Sequence, residues 1–310
     1  MLHREKRRGQ FRETCRTAGY ELRTALRIII FILLLFFASY ALAQPGVPCL
    51  SVDTTAPGGG TTLNPARRPV PYPYVREADV MWSKRIWRTL DLREKMNHPL
   101  YYPEDPHDGL QSLFDLIKCA LMSGAITAFD NPALDDEFKV KMDPAAIENL
   151  LVSKEVISVE NPNAPGTYYD DTIVNEISSK DVMAYWIKED WFFDRQRSVM
   201  DVRILGICPM ATKTDPSSGE ALGYKPLFWL YFPQLRPILA KQAVYMGQNY
   251  SQRITYDDLF EQRIFSSYIH KESNVYDRTI NDYEAGIDAL LESDKIKDEI
   301  SNFESDMWHY

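Results

Sequence analysis

Histidine and cysteine are the scarce residues of this 310-residue chain, five and four in number. So few cysteines exclude a disulfide-stapled scaffold. Removal of an N-terminal leader would leave Cys49, Cys119 and Cys208, an odd set. Cys119 falls in a helical pattern and Cys208 in a strand pattern, so both read as small buried side chains, with one bridge as the alternative. The histidines are too dispersed for a metal site. None of His98, His107, His270 and His309 has a second histidine at ligand spacing. His107 lies near Glu104, Asp105 and Asp108, and Asp135-Asp136 and Asp170-Asp171 form acidic pairs; all read as solvated turn residues.

The motifs of common catalysts are missing too. The sequence holds no G-x-S-x-G, no H-E-x-x-H, no paired C-x-x-C and no Walker loop. Gly58-Gly59-Gly60 is no phosphate cradle, because no strand precedes it and no helix opens after it. We therefore assign no catalytic, cofactor-binding or metal residue. Positive charge is also lacking in the body. The net charge of −9 divides into +5 over residues 1–43 and −14 over the rest. A body that acidic excludes nucleic acid as a partner.

What is present begins with one uncharged run, residues 28–42, after a basic stretch ending at Arg27. It is shorter than the ~20 residues of a comfortable membrane span. It ends in Ala41-Leu42-Ala43, so residues 1–43 read as a secretory signal peptide cleaved between Ala43 and Gln44. Cys49 follows Val47-Pro48, which is not a lipid-attachment context. Residues 44–76 are rich in proline and glycine and read as an extended linker, either a spacer or a strap laid over a neighbouring subunit.

Residues 77–275 read as an α+β domain, small antiparallel sheet elements packed with several helices. A break near 170–178 allows two subdomains. In residues 79–103, Trp82, Ile86 and Leu90 recur every four positions and predict a helix, with Asp91 and Lys95 paired on it and Pro99 ending it. Asp108 and Gln111 suggest the start of a second helix, buried through Leu110, Leu113, Phe114, Ile117 and Leu121 and closed at Gly124. Residues 126–129 and 156–159 read as strands, with a brief helix at Asp143-Pro144 between them. Ser179 opens a predicted helix carrying Val182, Met183, Trp186 and Ile187. A strand follows in residues 198–210, with Met200, Val202, Ile204 and Cys208 on one face. It forms a hairpin with the apolar LFWLYF at 227–232. Pro233 and Pro237 bracket the next helix. Thr255 caps another, with a stripe of Phe260, Ile264 and Tyr268. Residues 276–310 read as an acidic helical segment with a phase break: Tyr283, Ile287, Leu290 and Leu291 on one face, Ile296, Ile300 and Phe303 on another. The phase break means a kink or two separate contacts, and the segment reads as a helix packed back on the body or, alternatively, as a partner-binding tail.

Six tryptophans and eighteen tyrosines supply the chemistry of interface hot spots. Trp82, Trp87, Tyr101 and Tyr102 are the candidate partner interface. Four blocks then resemble, in order, the domain shared by GldN/PorN proteins: DVMWSKRIWRTLDLREKMNHPLYYP, GAITAFD with DDEF, YWIKEDWFFDRQRSVMDVRILGICPM, and LFWLYFPQLRPILA. They span about residues 77–240. The resemblance implies a non-catalytic subunit of a periplasmic ring of the type IX secretion and gliding machinery. It implies assembly with a GldK/PorK-like lipoprotein at the inner face of the outer membrane, contact with GldM/PorM-like periplasmic domains of the GldL–GldM motor, and self-association. It implies no cofactor, and only indirect membrane association. The alternative is a periplasmic enzyme or ligand-binding protein whose pocket is assembled from distant residues.

Overall fold

The computed structural model describes residues 66–107, 109–130, 137–160, 168–214, 221–246 and 254–308, all within one compact unit, Cys49–Tyr310. The expected leader with its cleavage at Ala43 and Gln44, most of the linker, Asp108, Asp135-Asp136 and His309 lie outside the described residues. The first half contains β1 (Val80–Asp91), α1 (His98–Tyr101), α2 (Leu113–Met122), β2 (Ala128–Phe129), α3 (Pro144–Leu151), β3 (Val152–Glu160) and β4 (Tyr168–Glu176). The second contains β5 (Val182–Asp194), β6 (Val199–Thr214), β7 (Ala221–Pro226), β8 (Trp229–Tyr231), α4 (Phe232–Leu239), α5 (Tyr256–Glu261), β9 (Tyr268–Glu272) and α6 (Ile287–Trp308). Seven strands form one antiparallel sheet, ordered β2-β8-β6-β5-β1-β9, with β7 also pairing with β6. β3 and β4 form a separate hairpin. The fold is α+β.

Two stretches expected as helices are strands. In β1, Trp82, Ile86 and Leu90 do share a face, because a spacing of four returns to the same side at a period of two as well as near 3.6. What decides is Ile86–Leu90, five consecutive buried residues. A helix with one apolar stripe leaves some of these exposed; a central strand covered on both faces buries them all. Val182, Met183, Trp186 and Ile187 lie in β5 for the same reason, antiparallel to β1. Only the single 3-10 turn Ser179–Asp181 precedes that strand, with Ser178 and Asp181 forming its capping box.

Pro99 opens a helix instead of ending one. It sits in the first turn of α1, where its missing N–H would have had no partner anyway. Asp91 pairs with Arg93, not Lys95. Asn97 is wholly buried: its amide donates to the carbonyls of Asp91 and Ser266 and accepts from Ser266 N–H, tying the turn after β1 to the entry of β9.

Elsewhere the elements follow the sequence with local shifts. Ser112, not Asp108, caps α2, accepting from Asp115 N–H. Gly124 takes the left-handed conformation past its end, φ 70°. Asp143 precedes α3 with Pro144 in its first turn, though its side chain makes no cap bond. Asp170-Asp171 belongs to β4, not to a loop. Met200, Val202 and Ile204 share a face of β6, but an irregularity against Lys188/Glu189 carries Cys208 to the other side. LFWLYF supplies β8, which pairs antiparallel with β6 as expected, and the first residue of α4; the strand joined directly to β6 in a hairpin is β7. Thr255 and Asp258 form a capping box on α5, which ends at Glu261; Tyr268 starts β9 instead of continuing a helical stripe.

The largest core joins one side of the sheet to the helices. Leu90, Tyr185, Ile187, Ile204 and Ile207 meet Leu113, Phe114, Leu116 and Ile117 of α2, Ile147 and Leu151 of α3, and Phe232, Leu235 and Leu239 of α4. A second cluster lies under α6. A third, with Trp87, Phe129, Cys208 and Trp229, occupies the opposite face. Cys208 is a free thiol there, and burial raises its pKa. Cys119 is half-buried and disulfide-bonded instead of a buried free thiol, so one bridge does form, but not between Cys119 and Cys208.

Candidate interaction surfaces

Residues 66–76 carry Pro69, Pro71 and Pro73 and take no regular secondary structure. A polyproline helix repeats every three residues. Pro69, Tyr72 and Val75 turn toward the body, while Val70, Pro71, Pro73 and Tyr74 face solvent. Contacts hold this strap along its length. Arg67 donates to both oxygens of Asp258 at 2.7 and 2.6 Å. The Tyr72 ring lies over the Arg236 guanidinium, 4.2 Å from its centroid, with Arg203 at 5.6 Å. Arg203 donates to the Pro73 carbonyl at 2.6 Å.

The groove beneath is built from behind. Arg236, 4% exposed, donates to Asp257 at 2.8 and 3.3 Å and to Glu261 at 3.1 Å. Burial works against its charge, but these carboxylates outweigh that and hold the guanidinium above its ordinary pKa. Burial pushes the Tyr72 hydroxyl up to about 12, and burial likewise raises the Glu261 carboxyl against the pull of Arg236. Beside Tyr72 is a cavity of about 190 Å³, lined by Met200, Val202, Ile204, Phe232 and Phe260 among others. That volume falls below the usual range of small-molecule sites, roughly 300–1,000 Å³.

The second surface is α6. Ala289, Ser293, Ile296, Ile300 and Phe303, spaced four-three-four-three, form its inner seam. Ile269 N–H donates to Ser293 Oγ at 2.8 Å, and Phe303 stacks on Trp82 with centroids 4.8 Å apart. The other apolar set faces out: Ile287 is 75% exposed, Leu291 61%, Leu290 51% and Tyr283 43%. Seven acids against two lysines surround them along the helix. Val275 and Tyr276, in the loop after β9, are exposed as well. Leu290 and Leu291 stand three and four residues after Ile287 and so are its neighbours on one helix face.

The four aromatics singled out in the sequence are not brought together. Trp82 is half-buried under α6. Trp87, 7% exposed, lies on the opposite face beneath the ammonium groups of Lys188 and Lys271. Tyr101 packs against the main core, and Tyr102 stands at the surface, edge-on to Tyr101 and His98. The Arg236 groove had no signal in the sequence, because its members come from β6, α4 and α5. Its occupant did have one, in the repeated prolines.

Glu189 is wholly buried and accepts from Arg88, Arg263 and Trp191. His270 stacks on Trp186 and meets Thr89 Oγ1 at 2.9 Å. Among the described residues no three histidine, cysteine or acidic side chains are grouped to hold a metal ion. His107 is exposed, and Glu104 and Asp105 pair with Lys180.

Compared with known proteins, residues 75–309 match the family model described as "Gliding motility associated protein GldN". No curated protein matches the chain.

Proposed function

The chain belongs to the GldN family, and from that premise we propose that it is a non-catalytic structural subunit of a periplasmic ring. Membership makes it a component of gliding motility and type IX secretion. In the proposed ring it assembles with further copies of itself and with a GldK/PorK-like lipoprotein, which anchors it indirectly to the inner face of the outer membrane. It meets the GldL–GldM motor through GldM/PorM-like periplasmic domains. No helix among the described residues is long and apolar enough to cross a membrane.

The observation that carries this reading is the extent of the family match, which takes in the whole seven-stranded sheet and α6. The surfaces support it. A ring subunit needs a stiff body and faces that engage neighbours, and obligate interfaces commonly bury more than about 2,000 Å². The exposed apolar residues of α6 in their acidic surround suit a protein partner, with the acids steering a basic face toward it. Tyr102 offers a further aromatic contact at the surface.

Deletion tests the proposal. Loss of this chain should lower the level of the lipoprotein partner, because subunits of obligate assemblies are often unstable alone, and cargo secretion should stop. Single replacements of His98, His107, Asp135 or Asp136 should leave secretion intact. One such folded variant that abolished secretion while the ring still assembled would replace the structural reading with a catalytic one.

A further inference from the structure

We propose that the groove built around Arg236 is a receptor for the proline-rich strap, and that in the assembled state it takes the strap of a second copy of this chain. The proposal rests on the assembly reading above. Three observations carry it.

The first is the form of the contact. The strap joins no sheet and holds the body through side-chain anchors: Arg67 on Asp258, Tyr72 on Arg236, and the Pro73 carbonyl on Arg203. Polyproline segments meeting arginine and aromatic faces form a portable recognition mode, since the ligand arrives already extended. The receptor is arranged independently of the strap, because Asp257 and Glu261 fix the edges of Arg236 and leave its face toward Tyr72.

The second is the hinge. Between Tyr72 and the start of β1 lie seven residues, of which Pro73, Tyr74, Arg76, Glu77 and Ala78 are exposed. The last three form a 3-10 turn, Glu77–Asp79, whose Asp79 carbonyl accepts from Arg195 N–H. The four residues before it, Pro73 to Arg76, reach about 14 Å when extended, and over that span the anchor can be redirected onto an adjoining copy. The same contacts form in either arrangement, which is the physical basis of exchange between identical protomers.

The third is self-complementarity. Arg67 of the strap meets Asp258 on the rim of the groove, while Asp201 is paired with Arg197 and Asp257 and Glu261 with Arg236. Two copies that trade straps close as a pair; because strap and groove are different patches of one chain, exchange can also run head to tail. Each copy then presents a free strap at one end and a free groove at the other. Contacts of this class propagate, and they close into a ring when the rotation per subunit permits. The cavity beside Tyr72 is space that the strap leaves unfilled within its own chain.

The test uses the full-length chain in its native envelope assembly, with Tyr72 replaced by the photocrosslinking residue p-benzoylphenylalanine. On illumination, products at two and more chain masses should form, with crosslinked peptides joining position 72 to β6, α4 or α5. A second variant, Arg67→Cys with Asp258→Cys, gives the same readout with a short bismaleimide linker, since cysteines in place of an Arg–Asp pair lie too far apart for a direct disulfide. Crosslinks confined to single chains within an intact assembly would overturn the strap exchange and leave the assembly reading standing. A chain that runs as a monomer in the native extract, before any crosslinking, would overturn both.

Discussion

Glu189 touches no solvent and is held by Arg88 at 3.1 Å, Arg263 at 2.9 and 3.2 Å and the Trp191 indole at 3.0 Å. Arg263 is partly exposed and can turn to water, but Arg88 cannot. Burial lowers the Arg88 pKa, with the Glu189 charge opposing the shift. Replacing Glu189 with Ala leaves a buried guanidinium without its counter-charge, so we expect a loss of about 3–5 kcal/mol in denaturant unfolding. His270 gives the pH test. Burial, aided by the neighbouring Lys271 charge, pushes its pKa down to about 3. A depressed histidine stabilises the fold fully above its unfolded pKa, near 6.5, and the contribution falls as pH drops from there toward 3. Between pH 7 and pH 5 the native chain should therefore lose on the order of 1–2 kcal/mol more than His270→Gln. Equal losses in the two proteins would mean that the imidazole is solvated. Neither role was legible in the sequence, because each depends on partners distant along the chain, Arg88 and Arg263 for Glu189 and Thr89 and Trp186 for His270.

At the scale of elements, β1 and α6 explain what the sequence could and could not say. Trp82, Ile86 and Leu90 announce a shared face but not its period, because a spacing of four suits helix and strand alike. The buried Trp87 and Thr89 between them resolve the choice, and their burial requires a cover on the second face that only the fold supplies. Ile86→Asp places an unpaired charge under α6 and should cost at least about 3 kcal/mol in thermal or denaturant unfolding; an unchanged midpoint would put that position at a free surface. α6 was more legible: its two apolar sets fall out of phase in the sequence, and in the structure one is the seam and the other faces out. Ile287→Glu combined with Leu291→Glu should change stability by no more than about 0.5 kcal/mol while reducing co-purification with the partner. A normal yield of the complex would show that this face is unused. The strap was legible as an extended segment because proline fixes its backbone. Its groove was not, since Arg203, Arg236 and Asp258 converge only after folding.

Taken whole, the molecule is an acidic α+β body of the GldN family with a stiff seven-stranded sheet and two surfaces suited to neighbours. The absence of catalytic motifs in the sequence gave no function by itself; the ordered blocks from residue 77 onward did, and the family match follows the same region to residue 309. If the chain works by assembly, its functional unit is the complex and its stability depends on partners. The most direct measurement is the native mass and composition of the protein extracted from the cell envelope under mild conditions. The account predicts a particle of many copies that contains the lipoprotein partner and falls apart when that partner is deleted. A monomer of this chain with no bound protein would contradict it.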